Sequence, residues 1–446
     1  MFRRILFASA CLAFSPVCVA VEDSRAEATR VVPREIFDYV ALPEPDFAWK
    51  LAESQSLGAN KVHRLELTSQ KWQGIVWKHN LFVYEPAELV HKDHILLFVT
   101  GGGNDSVGTT PKIGDLAMGI ALANFSGARV ATLHQVPNQP LMDGKKEDDL
   151  ITETWLKYLE SGDATWPLLF PMAKSAVKAM DALEQFSEEK FKQPVKGFVI
   201  TGASKRGWTS WLTSVVDKRI IATAPIVIDT LNFPVQMQHQ KKVWGFYSEQ
   251  IEDYTNKGLV RDDGIPRDGR EAELWKMMDP YTYRKQLTLP KLLVVGANDR
   301  YWSVDAMSLY WDDLVGQKHI HRAPNAGHGL DDGKDAALRT IAVFFRHAAA
   351  GKSLPEFHWE PKVTDSAVGL KMKPSGDASV VRLWAARSDT NDFRESKWTS
   401  TELSSVDGEF TGSEARNGEQ RVAVFGEVEY EHEGIPYHLS TLVFWK

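Results

Sequence analysis

The stretch that decides the fold is Gly202-Ala203-Ser204-Lys205-Arg206-Gly207-Trp208. The apolar run before it, 195–201 (VKGFVIT), predicts a buried strand, and 208–217 (WTSWLTSVVD) has apolar residues at helical spacing. Ser204 therefore lies at a strand-to-helix turn, which points a side chain away from the backbone at the end of a sheet. The helix that follows offers free N–H groups and its positive dipole end nearby. We interpret Ser204 as a nucleophile held in this turn.

The chain around this turn alternates between strand-like and helix-like segments. Apolar runs at 94–100, 128–133, 222–228 and 291–295 predict further strands, and 113–125 and 171–186 have helical spacing. Strands that alternate with helices predict a parallel sheet covered on both faces. Two strand-like runs upstream, 63–72 and 75–86, are separated by Gln73-Gly74 and predict an antiparallel pair.

Two segments depart from this alternation. The 230–290 segment is too long for a simple crossover and is rich in aromatic and charged residues, so we expect a mostly helical cap insertion. From about residue 353 the helical pattern gives way to short alternating runs, which predict a β-rich, sandwich-like C-terminal domain. The expected organisation is an α/β-hydrolase domain over 21–352, with its cap, and a small β domain over 353–446.

The first twenty residues have the pattern of a secretory signal peptide. A short basic segment (Arg3-Arg4) precedes an apolar run over 5–14, and Ala20 suits cleavage. An uncleaved anchor is the alternative interpretation. Both cysteines, Cys11 and Cys18, lie inside this segment, so the mature protein would have no disulfide and no thiolate metal site. We expect a secreted or periplasmic protein.

Composition excludes several classes of function. The chain has 446 residues, a net charge of −7 and no long basic run, which argues against a nucleic-acid partner. No segment after residue 20 has the roughly 18 apolar residues that a membrane helix needs. No dinucleotide or Walker-type glycine pattern is present, so no cofactor is expected. His319 and His321 alternate on a predicted strand without a carboxylate cluster, so no metal site is expected either.

A catalytic serine needs a histidine to take its proton and a carboxylate to orient that histidine. In α/β-hydrolases they follow in the order serine, acid, histidine. Asp299 comes just after the strand predicted at 291–295, and His328 lies in a glycine-flanked loop before the last predicted helix. Asp299 could instead cap a helix, His328 could be a surface histidine, and Asp229 is an alternative acid. The common order favours Ser204, Asp299 and His328 as a triad.

An acyl-transfer site also needs donors for the oxyanion. The run 99–105 (VTGGGND) follows a predicted strand, and we expect the backbone N–H groups of Gly102, Gly103 and Lys205 to serve. A plain flexible loop is the alternative for the glycine run. Trp302, next to the acid, is expected to reach a substrate pocket.

Two cations follow the serine, where the common Gly-x-Ser-x-Gly pattern has its last glycine at the position of Arg206. Arg206, or Lys205, could bind an anionic substrate or the oxyanion. A salt bridge to Asp299, Asp229 or Asp105 is the alternative, and the sequence leaves the two open.

Taken together, several motifs resemble the PhoPQ-activated pathogenicity-related proteins, a family of exported, α/β-hydrolase-like and mainly bacterial proteins. The resemblance runs from about residue 31 to the C-terminus through VTGGGND, QVPNQPL, TGASKRGWTSW, GANDRYW, NAGHGL and LWAARSDTNDFRESKW. It implies a hydrolase fold with Ser204, Asp299 and His328 in the triad positions, a β-rich tail and an association with virulence. It implies no particular substrate.

Two functions compete on this evidence. The first is an exported serine hydrolase of esterase or peptidase type, acting on a small molecule or a peptide. The second is a non-catalytic secreted binding or signalling protein on the same scaffold. An intact triad favours the first, because a binding protein gains nothing from a poised serine.

Overall fold

A nine-stranded sheet forms the centre of the protein. The computed structural model describes residues 32–446, so the expected signal peptide at 1–20 lies outside the described residues. The strands follow the spatial order β1-β2-β3-β5-β4-β6-β7-β8-β9. They are β1 (Ala48–Leu57), β2 (Asn60–Trp72), β3 (Ile75–Glu85), β4 (His91–Val99), β5 (Ala128–Leu133), β6 (Gly197–Ala203), β7 (Ile220–Ile226), β8 (Lys291–Gly296) and β9 (Lys318–Ala323).

Strands β4 to β9 run parallel, and β1 to β3 extend the sheet antiparallel at one edge. All residues of β5 and β8 are buried, as expected for strands covered on both faces. The turn at Gln73-Gly74 joins β2 and β3, as its sequence predicts. The parallel order places the carboxyl ends of β4, β6, β8 and β9 at one edge, where ligands bind in open α/β sheets.

Helices cover both faces of the sheet and form the insertion. They are α1 (Glu35–Ala41), α2 (Ile113–Ser126), α3 (Glu147–Ser161), α4 (Leu169–Phe191), α5 (Lys205–Val216), α6 (Phe233–Trp244), α7 (Glu252–Asn256), α8 (Gly269–Met278) and α9 (Lys334–Ala349). Helices α6, α7 and α8 and two short 3₁₀ turns, Glu249–Ile251 and Pro280–Tyr283, lie between β7 and β8, so the 230–290 segment is a helical insertion, as expected. Within residues 32–446, no helix combines the length and hydrophobicity needed to span a bilayer.

After α9 the chain is built from strands alone. One sheet has the order β10 (Phe357–Val363), β11 (Ala367–Pro374), β15 (Glu409–Ala415) and β14 (Ser405–Val406). The other has β13 (Thr399–Glu402), β12 (Val380–Ser388), β16 (Arg421–His432) and β17 (Ile435–Ser440), with β18 (Phe444–Trp445) paired to β16. The apolar core of these sheets is continuous with that of the central sheet, and Arg34–Lys446 form one compact unit.

The architecture is an α/β-hydrolase fold with a helical insertion and C-terminal antiparallel sheets, as the sequence predicts. The expected boundary at 352/353 falls between the end of α9 and the start of β10. Strand β1 is an addition to the strands that the sequence predicts. It is an exposed edge strand with no apolar alternation, so its sequence gives no strand period to detect.

Candidate active site

Ser204 occupies the turn between β6 and α5 in a strained backbone conformation. Its φ is 59° and its ψ is −123°, and its N–H donates to the carbonyl oxygen of Ile226 at 2.8 Å. Such a conformation costs about 1–3 kcal/mol and persists only where its surroundings enforce it. Here the strand and helix cross closely. A Cβ added at Gly202 would lie 2.7 Å from the Arg206 carbonyl oxygen, and one added at Gly207 would lie 2.9 Å from that of Gly202.

Three side chains from three turns meet at this point. The Oγ of Ser204 lies 2.9 Å from Nε2 of His328, and Nδ1 of His328 lies 2.8 Å from Oδ2 of Asp299. Asp299 follows β8 and is 6% exposed, and its other oxygen accepts the N–H of Tyr301 at 3.0 Å. If His328 carries its proton on Nδ1, the serine hydroxyl can donate to Nε2. This is the hydrogen-bond order of a serine nucleophile, its base and the orienting acid.

The alternative acid lies elsewhere. Asp229 is buried and accepts a hydrogen bond from the Tyr310 hydroxyl at 2.6 Å. Burial raises its pKa to about 6, against the opposing effects of the Arg322 guanidinium and the Tyr310 hydroxyl. Asp299 is therefore the carboxylate that contacts His328. His319 and His321 belong to no group of metal-ligating side chains within the described part of the chain.

The candidate oxyanion donors surround the serine turn. Lys205 is the first residue of α5, where helix geometry leaves the backbone N–H without an intrahelical acceptor. Gly102 and Gly103 follow β4, the neighbour of β6 in the sheet, so their loop lies beside the turn that carries Ser204. Gly102 has a φ of 129°, a conformation that side chains rarely adopt. The assignment of these amides stays a prediction.

Arg206 is buried and held by acceptors other than those expected. Its Nε donates to the Val136 carbonyl oxygen at 2.5 Å, and its two terminal nitrogens donate to both oxygens of Glu147 at 2.7 and 2.8 Å. The expected acids, Asp299, Asp229 and Asp105, are not its partners. Although burial opposes ionisation, the Arg206 hydrogen bonds lower the pKa of Glu147 to about 2. The side chain is not among the residues that line the pocket beside Ser204, and its role as a substrate ligand stays a prediction.

Lys205 has a different environment, because it lines the pocket beside Ser204. Its Nζ lies 2.8 Å from Oδ2 of Asp148, a carboxylate that also accepts the Tyr254 hydroxyl at 3.1 Å. Its ammonium also lies 5.9 Å from the centre of the Tyr301 ring. Burial works against the charged amine, but Asp148, Tyr301 and Glu147 together outweigh it and raise the pKa of Lys205. Helix α3, which begins at Glu147, thus neutralises both cations of the serine turn.

A small pocket with a cavity volume of about 40 Å³ lies beside Ser204 and His328. The cap supplies much of its wall, and Trp302 is part of it, where the sequence places a substrate contact. The lining comprises Asp148, Ser204, Lys205, Trp208, Ile228, Thr230, Phe233, Met237, Ile251, Tyr254, Val260, Trp275, Tyr301, Trp302 and His328. The sequence analysis did not name the individual cap residues of this lining. The high aromatic content of 230–290 is the signal that could have indicated them.

The C-terminal segment forms a second wall of the site. The amide nitrogen of Asn298 lies 2.7 Å from the Ser396 carbonyl oxygen, and the side chain of Asn325 exchanges two hydrogen bonds with the backbone of Trp398. These asparagines belong to the loops that carry Asp299 and His328. A groove next to His328 is lined by residues of 394–397. The β-rich region therefore helps to position the loops that carry Asp299 and His328, a role that its sequence alone did not indicate.

Comparison with known proteins agrees with the resemblance read from the motifs. The family model described as PhoPQ-activated pathogenicity-related protein matches residues 36–394. The chain is also similar to autocrine proliferation repressor protein A of Dictyostelium discoideum, with 34% identity over 72% of this chain and 67% of the relative.

Solved structures with a similar arrangement include esterases. An acetyl xylan esterase from Paenibacillus sp. R4 is 14% identical, with a TM-score of 0.42 over 69% of this chain and 92% of the esterase. A glucuronoyl esterase from Solibacter usitatus is 12% identical, with a TM-score of 0.44 over 74% of this chain and 98% of the esterase.

Proposed function

We propose that this chain, which belongs to the PhoPQ-activated pathogenicity-related protein family, is an exported serine hydrolase that cleaves an ester or peptide bond. The observation that carries the proposal is the continuous hydrogen-bonded series from Ser204 through His328 to Asp299. The strained conformation of Ser204 supports it, because such strain concentrates where a side chain must be presented for chemistry. Export rests on the signal-peptide pattern over 1–20 and is tested by determining the N-terminal residue of protein recovered outside the cytoplasm.

Each residue then has one role in the reaction. Ser204 Oγ attacks the scissile carbonyl carbon while His328 Nε2 takes the hydroxyl proton, and Asp299 stabilises the imidazolium that forms. The backbone N–H groups of Lys205 and of Gly102 or Gly103 face the oxyanion. His328 then gives its proton to the leaving group as the acyl–enzyme forms. A water molecule, deprotonated by the same histidine, hydrolyses the acyl–enzyme and restores Ser204.

A fluorophosphonate probe tests this assignment directly, because it forms a covalent bond with an activated serine only. We expect labelling of the wild type and none of Ser204→Ala. Ser210→Ala is the matched control, since the Ser210 hydroxyl lies on the same helix and donates to the Arg206 carbonyl oxygen. Correctly folded wild type that remains unlabelled would remove the case for catalysis.

A non-catalytic secreted signalling protein is the second candidate. The observation that favours it is the similarity to a protein named an autocrine proliferation repressor. The two candidates differ in their dependence on Ser204. Wild type and Ser204→Ala are each added to responsive cells. A signalling protein that needs no catalysis would have the same effect in both forms, whereas an effect that needs hydrolysis would be lost in Ser204→Ala.

A further inference from the structure

Two cavities of very different size meet at His328. The pocket that Ser204 lines has a volume of about 40 Å³, and the groove beside the C-terminal segment 394–397 has a volume of about 480 Å³. His328 and Tyr301 line both cavities, and their rings lie 4.3 Å apart between centroids. A substrate held at the serine therefore has a small cavity on one side of this pair of rings and a large one on the other.

The pocket admits only a small apolar group. Its walls contain large buried side chains of the cap, among them Phe233, Met237 and Trp275. A cavity of about 150 Å³ holds benzene, and one water molecule takes about 30 Å³ in the liquid. A volume of about 40 Å³ therefore fits a methyl group, which is the part of an acetyl group beyond its carbonyl carbon. A longer chain would have to displace packed side chains, which close-packed interiors resist.

The groove has a polar wall with both signs of charge. The C-terminal segment contributes Glu395 and Lys397, both exposed, and the loop that carries Asp299 contributes Arg300. Arg300 pairs with Glu249 and Glu395, and its side chain is still 45% exposed. Carboxylates accept hydrogen bonds, and ammonium and guanidinium groups donate them, whereas a hydroxyl group does both. A neutral alcohol with several hydroxyl groups therefore finds partners along this wall.

The chemistry of the proposed reaction orients the substrate between the two cavities. The leaving oxygen takes its proton from His328, and the oxyanion faces the backbone N–H of Lys205. Ser204 and Lys205 line the pocket and not the groove, whereas His328 lines the groove as well. The acyl group therefore belongs in the pocket, and the leaving group belongs in the groove.

From these observations we propose that the substrate is an acetyl ester of a neutral alcohol that carries several hydroxyl groups. Ser204 takes the acetyl group as the ester C–O bond breaks, and the alcohol leaves through the groove with the proton of His328. Water then releases acetate from the serine. Segment 394–397 of the β-rich region thereby selects the alcohol. This inference rests on the proposed serine hydrolase and adds its substrate class.

The acyl side is tested with 4-nitrophenyl acetate, butyrate and hexanoate, and each kcat/KM is divided by the rate of uncatalysed hydrolysis at the same pH. The corrected kcat/KM should fall at least about 10-fold from acetate to butyrate, since one methylene in an apolar pocket changes it by about 10- to 200-fold. Met237→Ala, or the milder Ile228→Val, enlarges the pocket and should raise the butyrate-to-acetate ratio about 3- to 10-fold. Met180→Ala is the matched control and should leave the ratio unchanged, because Met180 is also buried but does not line the pocket.

The leaving alcohol is tested with methyl 6-O-acetylglucopyranoside and cyclohexylmethyl acetate, which share the ring size and differ in their hydroxyl groups. Release of acetate, followed in a pH-stat, should give a kcat/KM about 10-fold higher for the glucoside. The double variant Glu395→Ala, Lys397→Ala should reduce that preference about 3- to 10-fold and leave the butyrate-to-acetate ratio unchanged. The matched control is Glu360→Ala, Lys362→Ala, because these residues form an exposed ion pair on β10 and do not line the groove. It should change neither ratio.

The outcomes separate this inference from the proposed function. Wild type that reacts with the fluorophosphonate and cleaves hexanoate as fast as acetate overturns the small acyl pocket and leaves the hydrolase standing, as does an unchanged ratio in both folded pocket variants. Equal cleavage of the glucoside and cyclohexylmethyl acetate, or a preference that the folded Glu395→Ala, Lys397→Ala variant keeps in full, overturns the role of the groove. Correctly folded wild type that the fluorophosphonate does not label removes the hydrolase itself, and this substrate class with it.

Discussion

Replacing Arg206 by leucine should destabilise the protein, because the guanidinium joins the serine turn to helix α3. It would remove two hydrogen bonds to Glu147 and one to the Val136 carbonyl oxygen. Hydrogen bonds to charged groups contribute about 1.5–3 kcal/mol each, and removing one partner of a buried ion pair costs about 3–5 kcal/mol. The Glu147 side chain is 39% exposed, so water compensates in part. We expect a loss of about 3 kcal/mol in the free energy of unfolding, the lower end of that range.

The pH dependence of this loss has a defined sign. The pKa of Glu147 in the folded protein is about 2, below its ordinary value of 4.5. A carboxylate with a depressed pKa stabilises the fold above its unfolded pKa, and that contribution is lost as the pH falls towards the folded value. The difference between wild type and Arg206→Leu should therefore be largest above pH 5 and should shrink between pH 5 and pH 3.

Urea denaturation followed by circular dichroism, at pH values from 7 to 3, measures both effects. Combining Arg206→Leu with Glu147→Gln gives a double-mutant cycle, and we expect a coupling energy above about 1 kcal/mol at pH 7. A coupling near zero at every pH would refute the ion-pair reasoning. An unchanged free energy of unfolding together with a raised KM would instead return Arg206 to the substrate-binding role that its position next to Ser204 first indicated.

Three further variants test Asp299, Asn298 and the buried Asp229. Asp299→Asn should lower kcat for an ester by about 10³- to 10⁴-fold without unfolding the protein, because the amide favours the wrong tautomer of His328. Asn298→Ala should lower kcat/KM about tenfold through the loosened acid loop, whereas Asn391→Ala, which loses an amide contact to Val243 in the cap, should not. The pKa of Asp229 in the folded protein is raised to about 6. Ionisation of this carboxyl therefore lowers the free energy of unfolding of the wild type as the pH rises from 4 to 6. Over that interval Asp229→Asn should gain up to about 3 kcal/mol in the free energy of unfolding relative to wild type, measured by urea denaturation.

Much of the central sheet could be predicted because its strands are buried on both faces. Near-continuous apolar runs bounded by turn residues are distinctive of such strands. The helices between the strands could be predicted from the helical spacing of their apolar residues. Strand β1 could not be predicted in this way, since it is exposed along almost its whole length. Its pairing with β2 includes polar cross-strand contacts, such as Lys50 with Glu66 and Ser54 with His63, and contacts of this kind give no apolar period to detect.

The hydrogen-bonded arrangement of Ser204, His328 and Asp299 could be anticipated for a similar reason. Ser204, Asp299 and His328 each follow a recognisable strand, and parallel strands bring their carboxyl ends to one edge. The partners of the two cations gave no comparable signal. Glu147 lies 59 residues before Arg206, and their contact depends on how an irregular segment folds back over the turn. The acids proposed from the sequence, Asp299, Asp229 and Asp105, lie in or beside other predicted loops of the site. Proximity along the sheet edge did not decide which acid pairs with Arg206.

The ion pairs with Glu147 and Asp148 change how the two cations after Ser204 are understood. Taken from the sequence, Lys205-Arg206 is an excess of positive charge next to the nucleophile, which would attract an anionic substrate. In the structure Glu147 and Asp148 balance both charges, and Asp148 also holds Tyr254 of the cap. Helix α3 thus connects the serine turn to the wall of the pocket through ion pairs. The two cations therefore contribute to the placement of the turn that carries Ser204, a role that the sequence alone does not distinguish from the binding of an anion.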